Sequence, residues 1–124
     1  MKWLLDVSAL VALLMRTHVN HSKVRTWSQG KALVLCPITE LGFLRVSTGP
    51  AHGATMGDAR RSLDHFIKHE KPGFIPADTR ALDGAVAPTS WKITDWYLAN
   101  LAQAHNMKLA TLDGGINLPN VDVI

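Results

Sequence analysis

Short apolar bursts alternate with longer amphipathic stretches along this chain. Residues 3–5 form an apolar triplet that stops at Asp6, as a short buried strand would, and Leu10, Val11, Leu13 and Leu14 then recur at helical spacing with Ser8 placed to cap them. A second helix is expected over residues 20–29, capped by Asn20, with Val24 and Trp27 turned inward and Gly30 as its stop. Residues 32–36 read as another buried strand. Pro37 is tolerated at a first helical position, and residues 38–46 continue as a helix with Glu40, Phe43 and Leu44 on one face.

Residues 47–57 (STGPAHGATMG) are small, Gly-rich and aperiodic, which predicts a loop before a helix over 58–69 whose apolar side carries Leu63, Phe66 and Ile67. Residues 73–75 are a short strand candidate, and 78–92 lack periodicity, reading as mixed turn and short helix. Thr94 is placed to cap a helix over 95–105, and residues 108–112 and 121–124 are the last strands. Five strands separated by helices predict a three-layer α/β/α fold with a central, mainly parallel sheet, since crossovers between parallel strands are right-handed. At 124 residues there is room for one domain, 1–124.

In such a sheet the functional crevice lies beyond the carboxyl ends of the strands, and the sequence places acids there. Asp6 and Asp113 each follow a strand, Glu40 lies in the first turns after one, and Asp95 opens a helix. Carboxylates gathered in one crevice repel one another unless one is protonated or a divalent cation is bound, and magnesium suits an all-oxygen site that retains waters. Such an ion lowers the pKa of water and offsets charge on a phosphoryl group, the chemistry of phosphodiester hydrolysis. Structural roles compete for the same residues. Asp95 taken alone reads first as a helix cap, and Asp6 and Asp113 read equally as turn residues. Glu40 is harder to explain away, because a carboxylate on the face of Phe43 and Leu44 needs a partner.

Composition changes this picture in two ways. Thirteen Lys and Arg stand against ten Asp and Glu, so if four acids share a crevice, thirteen bases face about six acids elsewhere, a surface suited to an anionic partner. The lone Cys36 forms no internal disulfide, which fits a reducing cytoplasm, and no stretch is long and apolar enough for a membrane helix. The apolar N-terminus is interrupted by Asp6 and has no small-residue cleavage site, so a signal peptide is not expected.

LLDVSALVALL, TELGFLRVSTGP and ITDWYLANLAQAHNMKLATLDGG, together with His18 and His21, resemble the PIN-domain family, and within it VapC-type toxins of type II toxin-antitoxin systems. The order and spacing of Asp6, Glu40, Asp95 and Asp113 carry the resemblance along nearly the whole chain. It implies a magnesium-dependent endoribonuclease, with manganese able to substitute, that is cytoplasmic, homodimeric and neutralised by a cognate VapB-like antitoxin. It also implies supporting roles for Ser8 and Thr111 beside the first and last acids. Asp113 is the acid whose role, direct ligand or outer partner, varies most in the family. Gly114 and Gly115 depart from the charged or aromatic residues found there in many relatives, leaving the local shape open.

Other features point less far. His18 and His21 lack a third ligand for zinc, and the GPAHGATMG segment lacks the GxxxxGK[ST] pattern, so it reads as a loop at the groove. Cys36 and most of the four tryptophans fit core packing. Among the cationic residues Arg45, near Glu40, is the preferred contact for an RNA backbone. The alternatives are a catalytically silent PIN-like module that binds RNA or protein, whose mark would be a lost acid, and a different phosphotransfer enzyme on a similar sheet.

Overall fold

The computed structural model describes residues 1–124. The elements in chain order are β1 (Lys2–Leu5), α1 (Val7–Leu14), α2 (His21–Ser28), β2 (Ala32–Leu35), α3 (Pro37–Ser47), α4 (Met56–Glu70), β3 (Gly73–Phe74), α5 (Ile93–Ala104), β4 (Lys108–Thr111) and β5 (Val121–Val123). A 3₁₀ turn at Ser90–Lys92 leads into α5, and no helix is long and apolar enough to cross a membrane. The sheet has the order β3-β2-β1-β4-β5 and every pairing is parallel, so the fold is a three-layer α/β/α sandwich.

Alternation along the strands builds two cores. Leu4, Val34 and Leu109 point to one face and pack with Trp96, Leu98, Leu101 and Ala102 of α5. Their neighbours Leu5, Leu35 and Ala110 point to the other face and meet Ala9 and Leu10 of α1, Phe43 of α3, and Leu63 and Phe66 of α4. Both faces are covered, which is why these strands read as continuous apolar runs. The chain winds outward from β1 through β2 to β3 and then returns to β4 on the other side of β1. The loops after β1 and β4 consequently leave toward opposite faces, and a crevice opens between them.

Three caps differ from expectation. Asp6, rather than Ser8, caps α1, its Oδ1 accepting the Ala9 N–H at 2.8 Å. Asn20 precedes α2 without a side-chain cap; its own N–H is taken by His18 Nδ1 at 3.0 Å. Thr94 lies inside α5, because the 3₁₀ turn at Ser90–Lys92 winds the chain directly into a helix that starts at Ile93 and has no side-chain cap. Gly30, at φ +73°, ends α2 as anticipated, in a conformation that disfavours side chains. Trp91 departs from the core role expected of tryptophans and is 77% exposed.

Candidate active site

Asp6 is the best-defined acid. β1 delivers it to the carboxyl edge, where its N–H donates to Ala110 O at 3.0 Å, continuing the β1–β4 pairing for one more residue. Asp6 is 2% exposed and its carboxylate accepts three hydrogen bonds: Oδ1 from the Ala9 N–H and from the Ser8 hydroxyl, each at 2.8 Å, and Oδ2 from the Thr111 hydroxyl. Burial nevertheless dominates these three donors and, with Asp95 nearby, lifts its pKa from 3.8 to about 6. Ser8 and Thr111 thus both bond the first acid. Ser8 also reaches across to the end of β4, its Oγ accepting the Leu112 N–H at 3.3 Å, while Thr111 Oγ1 accepts the N–H of Asp113, two residues further along its own strand end, at 3.0 Å.

Asp95 and Asp113 join Asp6 in lining a cleft of about 360 Å³. Asp95, in the first turn of α5, makes no capping bond; it is half-buried, and burial together with Asp113 raises its pKa. Asp113 combines a turn role with a cleft role. Oδ1 accepts the Gly115 N–H at 2.8 Å, and Oδ2 pairs with Lys92 Nζ at 3.1 Å; these two partners keep its pKa low. Gly115 is packed tightly here, since a Cβ on it would stand 2.7 Å from Lys92 Nζ. Lys92 escaped the sequence reading, although a cation one turn ahead of Asp95 was its signal. It is the one ammonium paired with the cleft acids.

Glu40 is not part of that lining. It sits in the first turn of α3, half-buried at the same edge of the sheet, without a side-chain hydrogen bond, and burial raises its pKa. Its neighbour Thr39 is fully buried and donates to Leu5 O at 2.8 Å, tying α3 to the strand just before Asp6. Arg45 is exposed on α3 outside the cleft and in no ion pair. His18 and His52 both line the cleft, whereas His21 Nδ1 donates to Ala12 O at 2.9 Å and joins α2 to α1.

Chemically the cleft is a set of oxygen donors with too little positive charge, Lys92 answering one carboxylate of three. No three His, Cys, Asp or Glu side chains close into a complete ligand cage. That donor set fits a hard divalent cation that keeps much of its water.

Comparison with known proteins agrees with this geometry. The PIN domain family model matches residues 3–122. The chain belongs to the PIN-domain family. This PIN domain is 36% identical over 121 residues to Ribonuclease VapC38 of Mycobacterium tuberculosis, the match covering 91% of the chain and 86% of that protein. It is 33% identical to Ribonuclease VapC44 of the same organism, with 98% and 92% covered, and 31% identical to Ribonuclease VapC29, with 91% and 86% covered.

Proposed function

We propose that this single PIN domain is a magnesium-dependent endoribonuclease and acts as the toxin of a toxin-antitoxin system. One observation carries the reading: Asp6, Asp95 and Asp113, from three separated parts of the chain, share one cleft at the switch point of the sheet, and the most deeply buried of them is raised to about 6. A cap or turn role explains a single carboxylate, not a set whose members destabilise one another. The ribonuclease names of the VapC relatives support RNA as substrate and a VapB-like antitoxin as partner.

Asp6, Asp95 and Asp113 would hold the cation, with Glu40, half-buried and unpartnered at the same edge, reaching it through water. Bound there, magnesium or manganese supplies Lewis acidity toward the phosphodiester and lowers the pKa of the attacking water. The protein's own part is positional. Ser8 and Thr111 fix the Asp6 carboxylate from both sides, so its orientation is set before substrate arrives. Lys92 holds Asp113 ionised and damps the repulsion that Asp95 feels. Arg45, exposed and unpaired, is placed to meet RNA phosphates.

Incubating the pure protein with structured RNA and magnesium or manganese tests the activity directly: cleavage should require the metal and vanish in EDTA. Undiminished cleavage by Asp6→Asn or Asp95→Asn, or in EDTA, refutes it. A homodimer and a cytoplasmic site of action complete the proposal. Light scattering should give twice the 13.6 kDa chain mass, and a clean monomer removes the dimer from the reading.

A further inference from the structure

A polyanion entering a cleft of carboxylates needs groups that do not repel it. The lining supplies few. Val7, Val11 and Val46 are aliphatic, and Ser8 is committed to Asp6 and to the Leu112 N–H. Apart from the acids, this leaves His18 and His52 as the lining side chains free to recognise a nucleotide. We infer that these two imidazoles form a stacking shelf for a nucleobase adjoining the scissile phosphate, an assignment that rests on the nuclease reading of the same cleft.

The rings come from different parts of the chain, yet lie 24° from parallel with centroids 5.9 Å apart. His18 occupies the turn between α1 and α2, where Nδ1 accepts the Asn20 N–H at 3.0 Å. That bond fixes the ring orientation and, in the neutral form, puts the proton on Nε2, which no protein group accepts. His52 is presented by the loop between α3 and α4. The loop is closed by the His52 and Gly53 N–H groups donating to Gly49 O at 3.2 and 2.8 Å, and by the Ala54 N–H donating to Ser47 O at 2.9 Å. Gly53, at φ +67° with open space around it, is there for its backbone conformation alone. The His18 ring is held by its hydrogen bond and the His52 backbone by its closed loop, and together the two near-parallel rings present flat surfaces at the cleft. Flat faces accept a base without adding charge, and single-stranded RNA is commonly recognised by stacking on aromatic and histidine rings.

The test uses fluorescence anisotropy with a short fluorescein-labelled oligouridylate in magnesium, on an Asp95→Asn background chosen to keep the probe whole, beside a matched probe with abasic positions. His18→Ala and His52→Ala should each weaken binding of the intact probe roughly tenfold, as loss of one base stack does, while His52→Phe stays within about twofold of the parent. All variants should bind the abasic probe alike. His52 is exposed, so its variants keep the experiment informative if His18→Ala loosens its turn. In the cleaving protein the same changes should raise KM and leave kcat within about twofold. The shelf is overturned if the parent does not bind the probe, if Phe serves no better than Ala, or if the histidine effect persists on the abasic probe. The two readings separate cleanly. Wild-type protein that cuts no RNA while base-dependent affinity survives would end the nuclease proposal and keep the shelf. RNA cleavage with affinity blind to both histidines would do the reverse.

Discussion

The two ends of the sheet each carry a cavity, and they are opposite in charge and in meaning. The larger, about 640 Å³, lies at the amino edge of β1, β2 and β3 and is lined by Lys2, Arg25, Lys31 and Lys71 with Glu70 as its one acid. The smaller, about 360 Å³, lies at the carboxyl edge and holds Asp6, Asp95 and Asp113. Size points to the wrong end. At the amino edge the C-termini of α1, α2 and α4 converge, and cations there complement exposed carbonyls and helix dipoles. Lys31 shows it directly, donating to Trp27 O at 2.7 Å with Nζ 4.8 Å from the Trp27 ring centroid. The basic cavity is accounted for by local stability. The acidic one gathers charge that folding alone would disperse, and that difference marks the functional end.

The largest effect that can sharpen this contrast is expected from Asp6→Asn, which should reduce cleavage by more than about a hundredfold while still capping α1. The same variant tests the electrostatic cost. A carboxyl whose pKa rises from 3.8 to about 6 on folding stabilises the metal-free protein when protonated, and that contribution is lost as pH climbs from about 4 through 6. The full step is at most about 3 kcal/mol. Urea midpoints across that range should fall for the wild type and stay flatter for Asp6→Asn, with magnesium restoring wild-type stability above the step. Equal slopes would mean that the burial of Asp6 is not costly.

Thr111→Val comes next. Losing one donor to Asp6 and the acceptor for the Asp113 N–H should lower magnesium-dependent cleavage roughly 10- to 100-fold, with weaker metal affinity seen in a magnesium titration. Gly42→Ala probes the frame that holds this edge. A Cβ there would stand 2.3 Å from Val7 Cγ2, forcing apart α1 and α3 at a cost of about 1–3 kcal/mol in chemical denaturation. The smallest effect belongs to the other end: Lys31→Ala should cost no more than about 1 kcal/mol and leave cleavage unchanged within about twofold. A large loss of cleavage there would break the comparison and give the basic cavity a role in RNA binding.

Much of this was legible in the chain because the informative signals are local. Apolar triplets ending at Asp6 and near Asp113, and the helical spacing of Leu63 and Phe66, follow from strand and helix periods and need no tertiary knowledge. Cap assignments were less legible, because Asp6, Ser8 and Thr94 all qualify chemically and only the backbone path chooses among them. Asp113 serves the turn the sequence offered, Oδ1 accepting the Gly115 N–H while Oδ2 meets Lys92, whereas Asp6, expected in a turn, caps α1 instead; both also line the cleft. Glu40 was expected among the others, yet the cleft is lined without it, as its helix phase leaves it half-buried to one side.

By itself, then, the sequence determined the alternation of strands and helices, the two-faced core and the positions of the acids relative to strand ends, all set by neighbours a few residues apart. Only the tertiary structure decided which acids meet, that Lys92 answers Asp113 across 21 residues, and that His18 and His52 stack at the same cleft. Those pairings depend on where β1 and β4 lie side by side while their loops part to opposite faces. Residue periodicity carries no record of that arrangement, because it comes from the winding order of the whole sheet.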